Sequence, residues 1–93
     1  MLNHDYDLKK LLHSMSRRNA KATQATKDVA AFLKRAFPDT RFSVRHHLAA
    51  RVCSLNICWT GGPPEDDVKR EVLTLPVVHE RFTFVYCVQG YEE

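Results

Sequence analysis

Residues 37–72 read FPDTRFSVRHHLAARVCSLNICWTGGPPEDDVKREV, and this stretch decides the fold. Pro38 ends a helix, because the residue before a proline is pushed out of the helical region. Two runs that alternate polar and apolar residues follow at 41–45 and 54–59, and this alternation is the period of a β-strand. A Gly-Gly-Pro-Pro corner at 61–64 then starts a further helix. The stretch therefore predicts helix end, β-hairpin and helix in that order.

The alternation sorts the side chains of the two predicted strands onto two faces. The apolar set points towards the core and consists of Phe42, Val44, Leu55, Ile57 and Trp59. The polar set shares the opposite face and consists of Arg41, Ser43, Arg45, Ser54, Asn56 and Cys58. We therefore expect an uncovered polar sheet face that is edged by arginines.

Two helical patterns precede the hairpin. Apolar residues recur at helix spacing at Leu8, Leu11, Leu12 and Met15, and again at Ala22, Ala25, Val29, Phe32, Leu33, Ala36 and Phe37. The polar stretch 16–19 between them predicts a break or a kink. The basic side chains Arg17, Arg18 and Lys21 follow at this break and along the second helix.

The chain after the corner predicts one more helix and one more strand. Val68 and Val72 form the buried stripe of the helix, and Pro76 bounds its far end. Residues 82–88 alternate again and predict a third strand. The predicted fold is α+β, with two N-terminal helices, a β-hairpin, a helix and a third strand. These elements form a small antiparallel sheet with helices on one face.

Length and composition restrict the class of protein. The 93 residues form a single domain, 1–93, because chains divide only above about 250 residues. No apolar run approaches the roughly 20 residues that cross a bilayer, so no membrane partner is expected. Asp5 and Asp7 precede any apolar stretch, which argues against a secretory signal. An odd count of three cysteines argues against a disulfide framework. The expected location is the cytoplasm.

Residues that carry catalytic or metal chemistry do not converge in this sequence. A zinc site needs about four converging ligands, whereas the adjacent His46 and His47 diverge in an extended chain. Cys53 and Cys58 lie five positions apart, so their side chains leave opposite faces of a strand. Cys53 is the one candidate for a Cys–His nucleophile, and no third group orients the histidine. We therefore predict no metal, no cofactor and no enzymatic activity.

A basic surface remains as the candidate site. Residues 1–59 carry eleven Lys and Arg against four Asp and Glu, whereas residues 60–93 carry three against seven. Such asymmetry favours a polyanionic or acidic partner for the first part. The predicted binding residues are Arg41, Arg45, His47 and Arg51, extended by Arg17, Arg18 and Lys21. Arginines on a polar sheet face bind phosphates, or carboxylates in bidentate pairs. From the sequence this face is expected to lack the exposed aromatic pairs on which RNA-recognition sheets stack bases.

Two motifs in the deciding stretch resemble a known family. They are FPDTRFSVR at 37–45 and SLNICWTGGPPEDDV at 54–68. The chain is similar to the large polyvalent protein-associated domains, specifically the twenty-ninth of that series. The residues that match its pattern are Phe37, Pro38, Phe42, Ser43, Val44, Arg45, Ile57, Trp59, Thr60, Gly62, Pro63 and Val68. The chain differs at Gly61, where the family often has Asp.

The resemblance implies an α+β domain from phages and other mobile elements, with no catalytic residues to carry over. Such domains usually belong to very large multi-enzyme polypeptides, so a chain made of this domain alone is expected to have an accessory or counter-defence role. Our leading hypothesis is a non-enzymatic accessory protein that binds a host protein or nucleoprotein complex, with an anti-CRISPR inhibitor as one form. The alternative is a nucleic-acid-binding module that uses the basic sheet face. The free edge of the last strand leaves a homodimer open.

Overall fold

The computed structural model describes the backbone of residues 4–90 and the side chains of residues 16–90. The elements in chain order are α1 (His4–Ala36), β1 (Ser43–Leu48), β2 (Cys53–Thr60), α2 (Glu65–Val72), α3 (Pro76–Arg81) and β3 (Phe84–Gly90). The α+β class and the hairpin at the centre of the chain are confirmed. Two features of the predicted arrangement are wrong, namely the broken N-terminal helix and the direction of the last strand.

The sheet is mixed and has the order β1-β2-β3. β1 and β2 pair antiparallel, as a hairpin must, with Arg45 opposite Asn56. β2 and β3 pair parallel, with Asn56 opposite Tyr86. The prediction of a purely antiparallel sheet is therefore wrong. Residues 61–83 contain two helices, and parallel neighbours require a crossover of about a dozen residues or more.

The N-terminal helix is continuous across the predicted break. α1 runs through Ser16–Asn19 without interruption. This segment contains neither Pro nor Gly, the two residues that disfavour a helix most strongly. Two of its side chains also bond to the hairpin: Arg18 Nη1 donates to the carbonyl of Ala50 at 2.6 Å, and Asn19 Oδ1 lies 2.9 Å from His46 Nε2. The predicted apolar stripe Leu8, Leu11, Leu12 and Met15 lies outside the described side chains.

Pro76 begins a helix rather than only bounding one. α2 ends at Val72, and α3 starts at Pro76 in its first turn. A proline fits the first helical turn because its missing N–H has no partner there. α3 buries Val78 against the core. The sequence analysis did not identify this short helix.

The core lies between the helices and one face of the sheet. Its buried members on the sheet are Cys53, Leu55, Ile57 and Trp59, and its buried members on the helices are Ala22, Ala25, Val29, Leu33, Val68, Val72 and Val78. Val44, Val85 and Cys87 pack against this cluster from the other strands. The predicted inward set is confirmed, since Trp59 is only 4% exposed and its ring centroid lies 5.4 Å from that of Phe42.

None of the helices in the described part of the chain is long and apolar enough to span a membrane.

Candidate functional site

The face of the sheet that points away from the helices is uncovered. We call it the open face and define it by Ser43, Arg45, His47, Ser54, Asn56, Cys58, Thr60, Phe84, Tyr86 and Val88. All ten positions alternate with the buried or half-buried side chains of the same strands. The structure describes every one of these side chains, and none of them carries a carboxylate. The predicted uncovered polar face therefore exists.

The pairing register arranges the open face in rows that cross the sheet. Arg45 pairs with Asn56, and Asn56 pairs with Tyr86. One step along the sheet, His47 pairs with Ser54, and Ser54 pairs with Phe84. Neighbouring strands lie about 4.8 Å apart, so each row is about 10 Å wide. A cation or histidine on β1 is thus joined through a small polar residue to an aromatic ring on β3.

Phe84 and Tyr86 form an exposed aromatic pair. Their ring centroids lie 6.2 Å apart, and their planes are inclined by 29°. The two residues are 49% and 51% exposed, and Val88 beside them is 55% exposed. The expectation that the face lacks an exposed aromatic pair is therefore wrong. The third strand is apolar at successive positions, and its parallel register turns Phe84 and Tyr86 outwards while Val85 and Cys87 face the core.

A sequence signal for this pair existed. Helices were predicted on one face of the sheet only, and the third strand carries apolar residues on both of its faces. One of those two apolar sets must then lie on the open face.

The predicted binding residues of the hairpin occupy the open face and its two ends. Arg45 and His47 project from β1 on the open face itself. Arg41 is exposed just before β1, and Arg51 is exposed in the loop that joins β1 to β2. Within residues 16–90 the single ion pair joins Arg70 and Asp67, at 3.5 Å. These cations are therefore not neutralised by a carboxylate of the described chain.

The predicted basic residues of the helix belong to the opposite layer. Arg17 and Lys21 are exposed on α1, and Arg18 is half-buried because its guanidinium bonds to Ala50. Arg18 and Lys21 also line a cavity of about 240 Å³ together with Glu80 and Arg81 of α3. The structure thus brings Arg45 and His47 together but does not place the helix cations on the open face. Their role in binding stays a prediction.

An open groove continues the open face at one end of the sheet. It has a volume of about 940 Å³ and is lined by residues 39–43, residues 58–62, Val88 and Gly90. Gly61 and Gly62 both adopt positive φ angles, of 64° and 66°, which glycine accepts without strain.

Hydrogen bonds from Gln89 link the Gly61–Gly62 corner to the end of β3. Its side-chain Nε2 donates to the carbonyl of Gly61 at 2.8 Å. Its backbone N–H donates to a carboxylate oxygen of Glu65 at 2.9 Å. Two hydrogen bonds donated by Gln89 therefore link the Gly61–Gly62 corner and the start of α2 to the end of β3. The hydrogen bond to Glu65 also occupies one backbone N–H at the free edge of β3. This is the edge through which the sequence suggested a homodimer.

The three cysteines are free thiols in different surroundings. Burial raises the pKa of Cys53, and the nearby Arg18 guanidinium partly opposes this effect. Burial also raises the pKa of Cys87, with Lys69 opposing it and Glu65 and Cys58 adding to it. A raised pKa keeps a thiol protonated, whereas a nucleophile must be a thiolate. Cys53 therefore lacks the activation that a Cys–His nucleophile requires.

The two adjacent histidines point to opposite sides of the sheet. His47 lies on the open face, whereas the ring of His46 turns towards α1. His46 Nδ1 lies 3.2 Å from the hydroxyl of Thr26, and its Nε2 lies 2.9 Å from Asn19 Oδ1. The predicted divergence of this pair is confirmed. The described side chains contain no group of three or more His, Cys, Asp or Glu placed to hold a metal ion.

Comparison with known proteins matches one family. Residues 20–80 match the family model described as large polyvalent protein associated domain 29. The matched segment contains the hairpin with Arg41 and Arg45 and ends before β3 with its aromatic pair. No curated protein and no solved structure matches the chain.

Proposed function

The chain belongs to the large polyvalent protein associated domain 29 family, and from this premise we propose that it is a non-enzymatic binding module whose open face binds the nucleic acid of a host nucleoprotein complex. Membership of this family associates the chain with phages and other mobile elements. The open face offers a binding surface.

The observation that carries the proposal is the charge of the open face. The ten side chains of this face are exposed or half-buried, and they include Arg45 and His47 but no carboxylate. Arg41 and Arg51 add a cation at each end of β1. Arginine binds phosphate oxygens through parallel N–H donors, and neutral Ser and Asn side chains also donate to the backbone of a nucleic acid. A polyanion is therefore the chemical class that this surface complements.

The experiment measures binding of labelled single-stranded and duplex DNA and RNA by fluorescence anisotropy at several salt concentrations. We expect binding at about 50 mM salt that weakens steeply towards about 200 mM, because phosphate contacts release counterions. Arg45→Ala weakens binding to every sequence and lowers the slope of log K against log[salt] by roughly 1.

Arg35→Ala is the matched control, because it removes the same charge from an exposed position in the last turn of α1. It leaves the affinity close to that of the unaltered protein. The proposal fails if no nucleic acid binds at low salt, or if the two variants weaken binding equally.

A second candidate function is inhibition of a host defence protein, including a CRISPR effector, through direct protein contact. The observation that favours it is the exposed apolar strip of Phe84, Tyr86 and Val88 along β3. Exposed apolar surface of this kind marks interaction sites. Affinity capture from host lysate before and after nuclease treatment separates the two functions. A partner that survives nuclease treatment supports direct protein binding, and a partner that is lost with the nucleic acid supports the first function.

A further inference from the structure

We propose that the ligand of the open face is single-stranded nucleic acid, with successive unpaired bases stacked on Phe84 and Tyr86 and the backbone phosphates held by Arg45 and His47. This inference rests on the proposed function and narrows its ligand from nucleic acid in general to unpaired strands.

The aromatic pair is not needed for the hydrophobic core. The core is supplied from β3 by Val85 and Cys87, which pack against the buried cluster. Phe84 and Tyr86 point the other way and are about half exposed. A half-exposed ring forgoes part of the stabilisation that full burial would provide. Two such rings side by side on an uncovered face are therefore best explained by a ligand that covers them.

The exposed rings favour an unpaired strand. Their centroids lie 6.2 Å apart, about the distance between side chains two positions apart on a β-strand. The two rings therefore offer neighbouring platforms on which bases stack. Bases in a duplex also show their edges to a protein and keep their faces covered by their neighbours, so a ring reaches a base face only when the strand is unpaired.

Arg45 and His47 lie on the side of the open face opposite the rings, where we place the backbone of such a strand. Arg45 and Tyr86 share one row of the sheet, and His47 and Phe84 share the next, so each ring has its own basic residue about 10 Å across the face. Asn56 and Ser54 stand between them, and Asn56 Nδ2 lies 3.5 Å from Ser54 Oγ. Both residues are neutral and can donate to and accept from a base edge or a phosphate. The basic residues on β1 therefore face the backbone of the bound nucleic acid, and the rings on β3 face its bases.

The test compares four probes of similar length, about a dozen nucleotides: single-stranded DNA, single-stranded RNA, a duplex and an abasic strand with the same phosphates. We expect the two single strands to bind tighter than the duplex and the abasic strand. Tyr86→Ala and Phe84→Ala each weaken single-strand binding by about 5- to 150-fold, the range found for loss of one stacking ring. Tyr86→Phe restores most of the affinity because it keeps the ring.

The matched control is Leu73→Ala, which trims an exposed large apolar side chain at the end of α2, outside the open face. It leaves single-strand affinity within about twofold, and circular dichroism confirms that each variant is folded. Equal binding of the duplex or the abasic strand overturns the inference while leaving the proposed function intact. An equal loss from Leu73→Ala and Tyr86→Ala also overturns it. Failure of all four probes to bind at low salt contradicts the proposed function itself.

Discussion

Arg45 and Tyr86 lie on the same face of the sheet, on either side of Asn56, which pairs with both of them. This relationship depends on the parallel direction of β3. The hairpin alone provides the arginine, and the crossover through α2 and α3 brings the ring alongside it. The proposed binding surface is therefore a product of the topology as much as of the composition.

Asn56 occupies the centre of this row, so a carboxylate there repels a phosphate backbone. Asn56→Asp is nearly isosteric, and we expect it to weaken nucleic-acid binding by at least tenfold at about 50 mM salt, while the far-ultraviolet circular dichroism spectrum stays unchanged. Lys34→Gln is the control, because it makes the same change of net charge on the exposed side of α1. A similar loss of binding from both variants shows that only the total charge of the protein matters.

Gly62 is constrained by both its backbone and its neighbour. Its φ angle is +66°, and a Cβ at this position lies 2.7 Å from the hydroxyl of Thr40. Gly62→Ala should lower the free energy of unfolding by about 1–2 kcal/mol for the left-handed backbone alone, with a further loss from the clash. Chemical denaturation measures both contributions.

Thr40→Ala in the Gly62→Ala background removes the atoms that clash and leaves the backbone cost. The double variant should therefore recover part of the lost stability relative to the sum of the single changes. Strictly additive losses contradict the close approach of these two residues.

His46 joins the hairpin to α1 through Asn19 and Thr26. Asn19→Ala removes one of these hydrogen bonds and should lower the free energy of unfolding by about 0.5–1.5 kcal/mol. In a His46→Ala background the same change should cost much less, because its partner is already absent. A double-mutant cycle measures this difference, and a coupling energy of zero shows that the bond does not stabilise the protein.

Because the pKa values of two thiols are raised in the folded protein, we expect the free energy of unfolding to depend on pH in the alkaline range. Burial raises the pKa of Cys53 and of Cys87 in the folded protein, so their contribution is fully present below the unfolded thiol pKa of about 8.5. It is lost as the pH rises through the folded values, because unfolding then releases protons. We expect the free energy of unfolding to fall between about pH 8 and about pH 10, as measured by denaturation at each pH.

Cys87→Ala should make this fall shallower, whereas Val85→Ala, which trims a half-buried side chain without a titrating group from the same face of β3, should not. The relevant quantity is the slope against pH, because loss of a partly buried side chain also lowers stability at every pH. An identical slope for the two variants contradicts the role of burial at Cys87.

The hairpin could be predicted from sequence because its two strands are amphipathic. Alternation from Arg41 to Arg45 and from Ser54 to Trp59 leaves only one way to place the apolar side chains. The Gly61–Gly62 corner could also be predicted from sequence, because glycine adopts the positive φ angles found there without strain.

The inward face and the direction of the third strand could not be predicted in the same way. Phe84, Val85, Tyr86 and Cys87 are all apolar or aromatic, so periodicity does not say which set faces the core. Its parallel direction follows from the long helical crossover at residues 61–83, because parallel neighbours are joined by connections of a dozen or more residues. Arg45 could therefore be predicted on the open face from sequence, whereas the outward direction of Phe84 and Tyr86 could not.

The continuity of α1 shows a related limit. Ser16–Asn19 is polar and has only moderate helix propensity, which favours a break when the segment is considered alone. In the folded chain Arg18 bonds to Ala50 and Asn19 bonds to His46. Contacts with residues about 30 positions away in the sequence hold the segment in the helix.

The most direct measurement is a residue-by-residue map of binding by NMR, with a single-stranded oligonucleotide titrated into isotope-labelled protein at low salt. We predict the largest chemical-shift changes at Arg45, Asn56, Phe84 and Tyr86, with little change along the exposed side of α1. Changes confined to α1 around Arg17 and Lys21, with the open face unaffected, would contradict it.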